Sequence, residues 1–222
     1  MRKVNIYPSI MCAKPWEFRQ FIEEFEKGGI EAIHFDVMDG HFVPNMTLGV
    51  GDFNAIKEIS KLPVDAHFMV NEPEKFLEYF KFEEGDTFSF HPETSEDPIA
   101  LLKTLREKGI RAGYAISPDT STKYVEDALE YLDMVIVLAV YPGFAGQKML
   151  PTHLDKLQSI RDICDKADHK IEIIVDGNTT AENTKKMIEN GADGVVAGTS
   201  SLLKYGPETF DKYYHDYMEA IK

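Results

Sequence analysis

The chain has 222 residues, 43% of them hydrophobic, and a formal net charge of −14, which suits one large domain with a sizeable core. The acidic balance argues against nucleic acid and anionic membrane surfaces as partners, since both need basic patches. No apolar run approaches the roughly 18 residues of a membrane span. Two cysteines, Cys12 and Cys164, are too few for a disulfide framework and are expected as reduced thiols. The opening MRKVNIYPSIM lacks the long apolar stretch of a signal peptide, so a cytoplasmic protein is expected.

Along the chain, short β-branched or apolar runs alternate with longer amphipathic ones. The predicted strand Val4–Ile10 precedes a helix at Trp16–Lys27, and Ala32–Met38 precedes Asp52–Lys61. Val64–Val70 leads to Glu74–Phe82, Thr87–Glu93 to Pro98–Lys108, and Arg111–Ser117 to Lys123–Tyr131. Met134–Val140 leads to Leu154–Lys166, Glu172–Gly177 to Ala181–Asn190, and Gly194–Gly198 to Glu208–Ile221. Gly28, Gly109 and Gly191 stand where a left-handed residue would end a helix. Regular alternation implies a parallel sheet with helices outside. Eight units predict a single α/β domain over residues 1–222, a (β/α)8 TIM barrel. The alternative, an open doubly wound sheet, usually carries glycines after its first strand. Here that place reads Ser9-Ile10-Met11-Cys12.

A barrel puts function at the C-terminal ends of its strands. Strand two ends His34-Phe35-Asp36-Val37-Met38, and alternation places His34, Asp36 and Met38 on one face. Strand three ends with His67 and Met69 on one face, and strand seven ends at Asp176. Read singly, each histidine is a hydrogen-bonded structural residue and each aspartate a turn former or helix cap. Read together, two histidines and two aspartates make a plausible site for one divalent cation per subunit, with Zn, Mn, Fe, Co and Mg all open.

Glycine-bearing loops follow the last three strands: Gly143-Phe144-Ala145-Gly146, Gly177-Asn178 and Gly198-Thr199-Ser200. Such loops bind phosphate through backbone N–H groups in many barrels, although strand-to-helix turns use glycine anyway. Among the other histidines, His153, His169 and His215 are expected in solvent, and His41 as a local turn partner. His91 stands at a strand end, where lining the pocket is an open possibility. Cys12 has no dedicated base beside it and is not read as a nucleophile.

These residues carry a resemblance. Pro8-Ser9-Ile10-Met11, the run from His34 to Asn45, His67-Phe68-Met69-Val70, His91-Pro92-Glu93, Pro142 to Gln147 and Val175-Asp176-Gly177 resemble the ribulose-phosphate 3-epimerase family, in family order and over nearly the whole chain. The resemblance implies a metal-dependent isomerase moving a proton beside a ketone. By position it implies His34, Asp36, His67 and Asp176 as metal ligands, and Asp36 and Asp176 as the acid–base pair. It also implies substrate contacts at Ser9, Met38, Met69, His91 and the phosphate loops. A phosphorylated ketose is the implied partner, and a homo-oligomer is expected.

Where this chain departs from the usual ribulose-phosphate pattern, it resembles the allulose-6-phosphate 3-epimerase branch. The single glycine in Gly177-Asn178 and the stretch Gly198-Thr199-Ser200 carry that lean. Leu138 replaces a usual methionine and Tyr141 a usual asparagine, and both fit neither branch. D-allulose 6-phosphate is therefore the expected substrate, with D-ribulose 5-phosphate as the alternative. A lyase on a related barrel would carry a lysine where this chain has Met38. A non-catalytic sugar-phosphate-binding barrel would not need two carboxylates.

Overall fold

The computed structural model describes residues 3–222. Eight parallel strands form one sheet: β1 (Asn5–Pro8), β2 (Ile33–Met38), β3 (Val64–Met69), β4 (Thr87–Phe90), β5 (Arg111–Ile116), β6 (Met134–Leu138), β7 (Glu172–Asp176) and β8 (Gly194–Ala197). The order β1-β8-β7-β6-β5-β4-β3-β2 runs round a ring. A parallel bridge between Ser9 and His34 joins its two ends. This is the (β/α)8 barrel that the alternation predicts.

Among the described residues seven α-helices surround it: α1 (Phe18–Gly28), α2 (Val50–Ile59), α3 (Pro98–Glu107), α4 (Lys123–Ala128), α5 (His153–Cys164), α6 (Ala181–Glu189) and α7 (Phe210–Ala220). In α1, Phe18, Phe21, Ile22 and Phe25 recur at helical spacing and are buried. The helix ends one residue later than expected: Gly28 is its last helical residue, and Gly29 takes the left-handed conformation at φ 69°. The α3 N-terminus pairs Pro98 with an Asp97 side chain that accepts from the Ala100 amide.

The helix expected over Glu74–Phe82 does not form beyond a short 3-10 turn at Pro73–Phe76. Phe80 and Phe82 both pack on Phe53, at 5.3 and 5.2 Å between ring centroids, and both reach Phe68. Residues two apart point to nearly opposite sides of a helix, so the shared aromatic core selects an irregular chain instead.

Two apolar layers resolve the strand parity. Ile33, Phe35, Val37, Ile173 and Val175 join the core beneath the helices. Tyr7, Ala115, Ile136, Leu138, Ile174 and Val196 form a separate cluster inside the barrel. The alternate residues His34, Asp36 and Met38, and likewise Asp176, therefore face inward with the second group. Gly113 keeps the interior open for a polar side chain, because a Cβ there would collide with Ser89. No helix among the described residues is long and apolar enough to cross a membrane.

Gly194 sits on the β1–β8 seam opposite Asn5. A Cβ at that position would overlap the Asn5 carbonyl and lie 2.9 Å from the Asn5 Cβ. Gly194→Ala is expected to lower stability by about 1–3 kcal/mol through overpacking. Urea denaturation of the two proteins measures this, and an unchanged midpoint would show that the seam yields freely.

Candidate metal centre and substrate cavity

The strand ends bring His34, Asp36, His67 and Asp176 together. Each offers one ligand atom, and these atoms all lie within 4.8 Å of one another. His34 and His67 are fully buried and Asp36 nearly so. In the β2–β3 register Asp36 is the partner of His67 and His34 the partner of Asp65, so all four side chains share one face. β7 supplies Asp176 from three places away round the barrel wall.

The surrounding hydrogen bonds fix this set. Ser9 Oγ donates to Asp36 Oδ2 at 2.7 Å. His34 Nδ1 lies 2.8 Å from Asp65 Oδ2, and its Nε2 lies 3.2 Å from Asp36 Oδ1. A carboxylate behind one imidazole nitrogen leaves the other free to face a cation. His67 Nδ1 is buried with no hydrogen-bond partner and points toward Asp36 Oδ1 at 3.4 Å. An orphaned imidazole nitrogen beside two carboxylates fits a divalent ion, and the donor set of two nitrogens and two carboxylates suits one.

The electrostatics agree. Burial opposes a charge on His34, but Asp36 and Asp65 outweigh it and hold its pKa well above the usual histidine value. Burial likewise opposes the charge on Asp36, yet His34 and His67 hold its carboxyl far below the usual range. At Asp176 burial prevails over the two histidines, with Asp36 reinforcing it, and the carboxyl is pushed up. Two carboxylates converging on one point call for positive charge between them.

The cluster opens into a cavity of about 610 Å³, part of it continuous with solvent. Ser9, Asp36, Met38, Met69, Gly143, Phe144, Ala145, Gly146, Asp176, Gly177, Gly198, Thr199 and Ser200 all line it. Gly177 has φ 108°, and a Cβ there would sit 2.6 Å from Val140 Cγ2, so the turn after β7 admits only glycine without displacement. Met38, Met69 and Val43 form a small apolar cluster, with Met11 and Phe42 against it. Cys12 also lines the cavity; burial, reinforced by Asp36, pushes its thiol up to about 11, which leaves it protonated and unreactive at neutral pH.

Two expectations need correction. His91 does not line the cavity: it is fully buried behind His67, with 3.0 Å between their Nε2 atoms. Having its polar tip engaged by His67 turns it away from the open space. His153 is not in solvent either; α5 packs its first residue inward, and burial pushes its pKa down to about 4. His41 is an exposed turn partner, its ring 3.0 Å from the Asp39 carbonyl. The sequence reading does not single out Asp65, and it names Asn178 only beside Gly177. Asp65 had a legible signal, because it stands two residues before His67 on the same strand face. Asn178 lines the cavity in a left-handed conformation at φ 52°, which periodicity does not encode.

Residues 5–202 match the profile described as the Ribulose-phosphate 3 epimerase family. A Ribulose-phosphate 3-epimerase of Bacillus subtilis (strain 168) is 35% identical over 198 residues, 89% of this chain and 91% of that protein. A Ribulose-phosphate 3-epimerase of Eremothecium gossypii is 38% identical over 229 aligned positions, 97% of this chain and 93% of the relative. Among solved structures, a mutant tryptophan synthase α-subunit from Pyrococcus furiosus superposes with a TM-score of 0.69 at 16% identity, covering 100% of this chain and 99% of the other. At that identity the likeness speaks for the barrel alone.

Asp65→Asn is expected to keep the fold and weaken divalent-ion binding roughly 10–100-fold, by removing the charge that orients His34. Titration calorimetry with Zn²⁺ or Co²⁺ measures this, and wild-type affinity in the variant would show that His34 is positioned without it.

Proposed function

The chain belongs to the ribulose-phosphate 3-epimerase family, and from that premise we propose that it interconverts D-ribulose 5-phosphate and its C3 epimer with Asp36 and Asp176 as the proton-transfer pair. The observation that carries the reading is the convergence of His34, Asp36, His67 and Asp176 at the wall of a cavity that also carries three glycine-bearing loops. A non-catalytic binding barrel has no use for two convergent carboxylates.

Inversion at a carbon beside a ketone requires a proton to leave one face and another to arrive on the opposite face. Asp36 and Asp176 come from separate strands and reach the cavity from different parts of its wall. One carboxylate removes the C3 proton while the other, protonated, supplies its replacement, and the roles exchange with the direction of reaction. Ser9 fixes one oxygen of Asp36 and leaves the other directed at the histidines. Met38, Met69 and Met11 give a soft lining without donors that would compete for the enediolate. Gly177, Gly198, Thr199 and Ser200 offer backbone N–H groups for the phosphate, whose binding energy is gained away from the reacting carbon. A divalent cation held by His34, Asp36, His67 and Asp176 supplies electrostatic stabilisation of the charge that develops on the ketose oxygens.

The relatives described above carry the ribulose-phosphate name, which favours the pentulose over D-allulose 6-phosphate. Gly177-Asn178 and Gly198-Thr199-Ser200, which carry the lean to the allulose branch, line the cavity and keep the hexulose as the competing substrate. Proton exchange at C3 in D₂O, followed by NMR with each ketose phosphate and metal-loaded protein, decides between them. Faster exchange and epimer formation on ribulose 5-phosphate is the expected result. Preference for the hexulose would move the substrate and keep the chemistry, and exchange on neither would overturn the epimerase reading.

Asp36→Asn and Asp176→Asn are each expected to lower kcat roughly 10²–10⁴-fold with the fold intact. Circular dichroism and steady-state assays test this, and full activity in either variant would sink the two-carboxylate assignment.

A further inference from the structure

The orphaned nitrogen of His67 leads to a second layer of side chains. His67 Nε2 faces His91 Nε2 at 3.0 Å, and His91 Nδ1 lies 3.1 Å from Ser117 Oγ. All three residues are buried, His67 and His91 completely. Two facing imidazole nitrogens at that distance share one proton: with none the lone pairs repel, and with two the hydrogens collide.

This leaves two arrangements for neutral rings. In the first, His67 Nε2–H donates to His91, and His67 Nδ1 carries a lone pair toward Asp36 and the cation position. His91 then carries its proton on Nδ1 and donates to Ser117. In the second, His91 Nε2–H donates to His67, and His67 Nδ1–H points at the cation position and blocks it. Asp36 Oδ1, 3.4 Å from His67 Nδ1, favours the second while no cation stands between them, and Glu93 favours the first. Its Oε1 lies 3.7 Å from His91 Nδ1 and accepts from Thr120 Oγ1 at 2.6 Å, so a carboxylate is held where it favours a proton on that nitrogen. The loop bearing Ser117 is itself fixed: Lys156 Nζ donates to the carbonyls of Ser117, Pro118 and Thr120 at 2.6, 2.9 and 2.5 Å. Phe42 closes the other side, its ring centroid 4.7 Å from that of His91.

We infer that His91 is a positioning residue for the metal centre: it accepts the Nε2–H of His67 and, held by Ser117 and Glu93, locks His67 in the tautomer that offers Nδ1 to the cation. His34 is served directly by a carboxylate, Asp65, and His67 through His91. The two imidazoles thus present lone pairs to one point, His34 with a carboxylate directly behind it and His67 with a second imidazole between it and Glu93.

The inference rests on the metal-centre reading above, and the test separates the two. The full-length protein is stripped of metal and titrated with Co²⁺, with affinity read by chelator competition and geometry by the visible absorption of the bound ion. Wild type is expected to bind one Co²⁺ per chain. His91→Phe, which leaves the His67 N–H without an acceptor, is expected to lose roughly 10–100-fold in affinity and to shift the Co²⁺ absorption bands. His91→Gln, whose amide oxygen can accept that N–H, is expected to recover most of both. Ser117→Ala, a smaller change, is expected to weaken binding several-fold and keeps the question answerable if His91→Phe fails to fold. Wild-type affinity and spectrum in His91→Phe, or in Ser117→Ala should the former not fold, would overturn the relay while leaving the centre intact. A wild-type protein that takes up no Co²⁺ would overturn the centre and the relay together.

Discussion

Burying carboxylates at the head of a barrel is costly, and the upper part of this molecule is arranged around that cost. Asp36 and Asp65 are nine-tenths or more buried, and Asp176 stands beside them on the same inner face. An ionised carboxylate without partners costs several kcal/mol to bury. Asp65 is matched by His34, and Asp36 by Ser9 and both histidines. Asp176 retains a pushed-up carboxyl, since burial outweighs what the histidines provide. The remaining demand is for positive charge at the point where all four side chains meet. A cation there would satisfy the orphaned His67 nitrogen and both carboxylates at once.

The barrel interior separates this demand from the requirements of stability. Along β7 the inward residues are Glu172, Ile174 and Asp176 in succession. Glu172, at the N-terminal end, accepts from Asn5, Tyr7 and Arg111 and ties β1, β5 and β7 together. Ile174 belongs to an apolar layer with Tyr7, Ile136 and Val196. Asp176 stands above that layer in the cavity. One strand thus carries a structural ion pair, a packed middle and a carboxylate at the cavity. The apolar middle keeps the lower charges from the upper site, which allows each network to be satisfied separately.

The second layer extends the same logic outward. Asp65, His91 and Ser117 touch no part of the cavity, yet each holds a residue that bears on it or the next one behind. Lys156, from α5, fixes the loop after β5 through three carbonyls. Precise orientation at the centre therefore depends on packing several residues away. A flexible wall would leave the four candidate ligand atoms too loosely placed to share one cation.

Much of this was legible in the amino-acid order. Eight apolar runs between amphipathic stretches dictate a parallel barrel, because helices that alternate with strands can only cover a sheet from outside. Strand parity puts His34, Asp36 and Met38 on one face without further information, and the glycines after β7 and β8 mark turns where the backbone must come close. Other features were decided only by tertiary structure. Phe80 and Phe82 abandon helical spacing to share one aromatic core. His91 turns from the cavity to His67, and His153 packs inward at the start of α5. The meeting of Asp176 with residues of β2 and β3 depends on closure of the ring, through the β1–β8 pairing and the Ser9–His34 bridge. Periodicity describes how a segment presents its faces to its surroundings. Which distant segment stands opposite is settled by barrel closure and by the shape of the core, both properties of the whole chain.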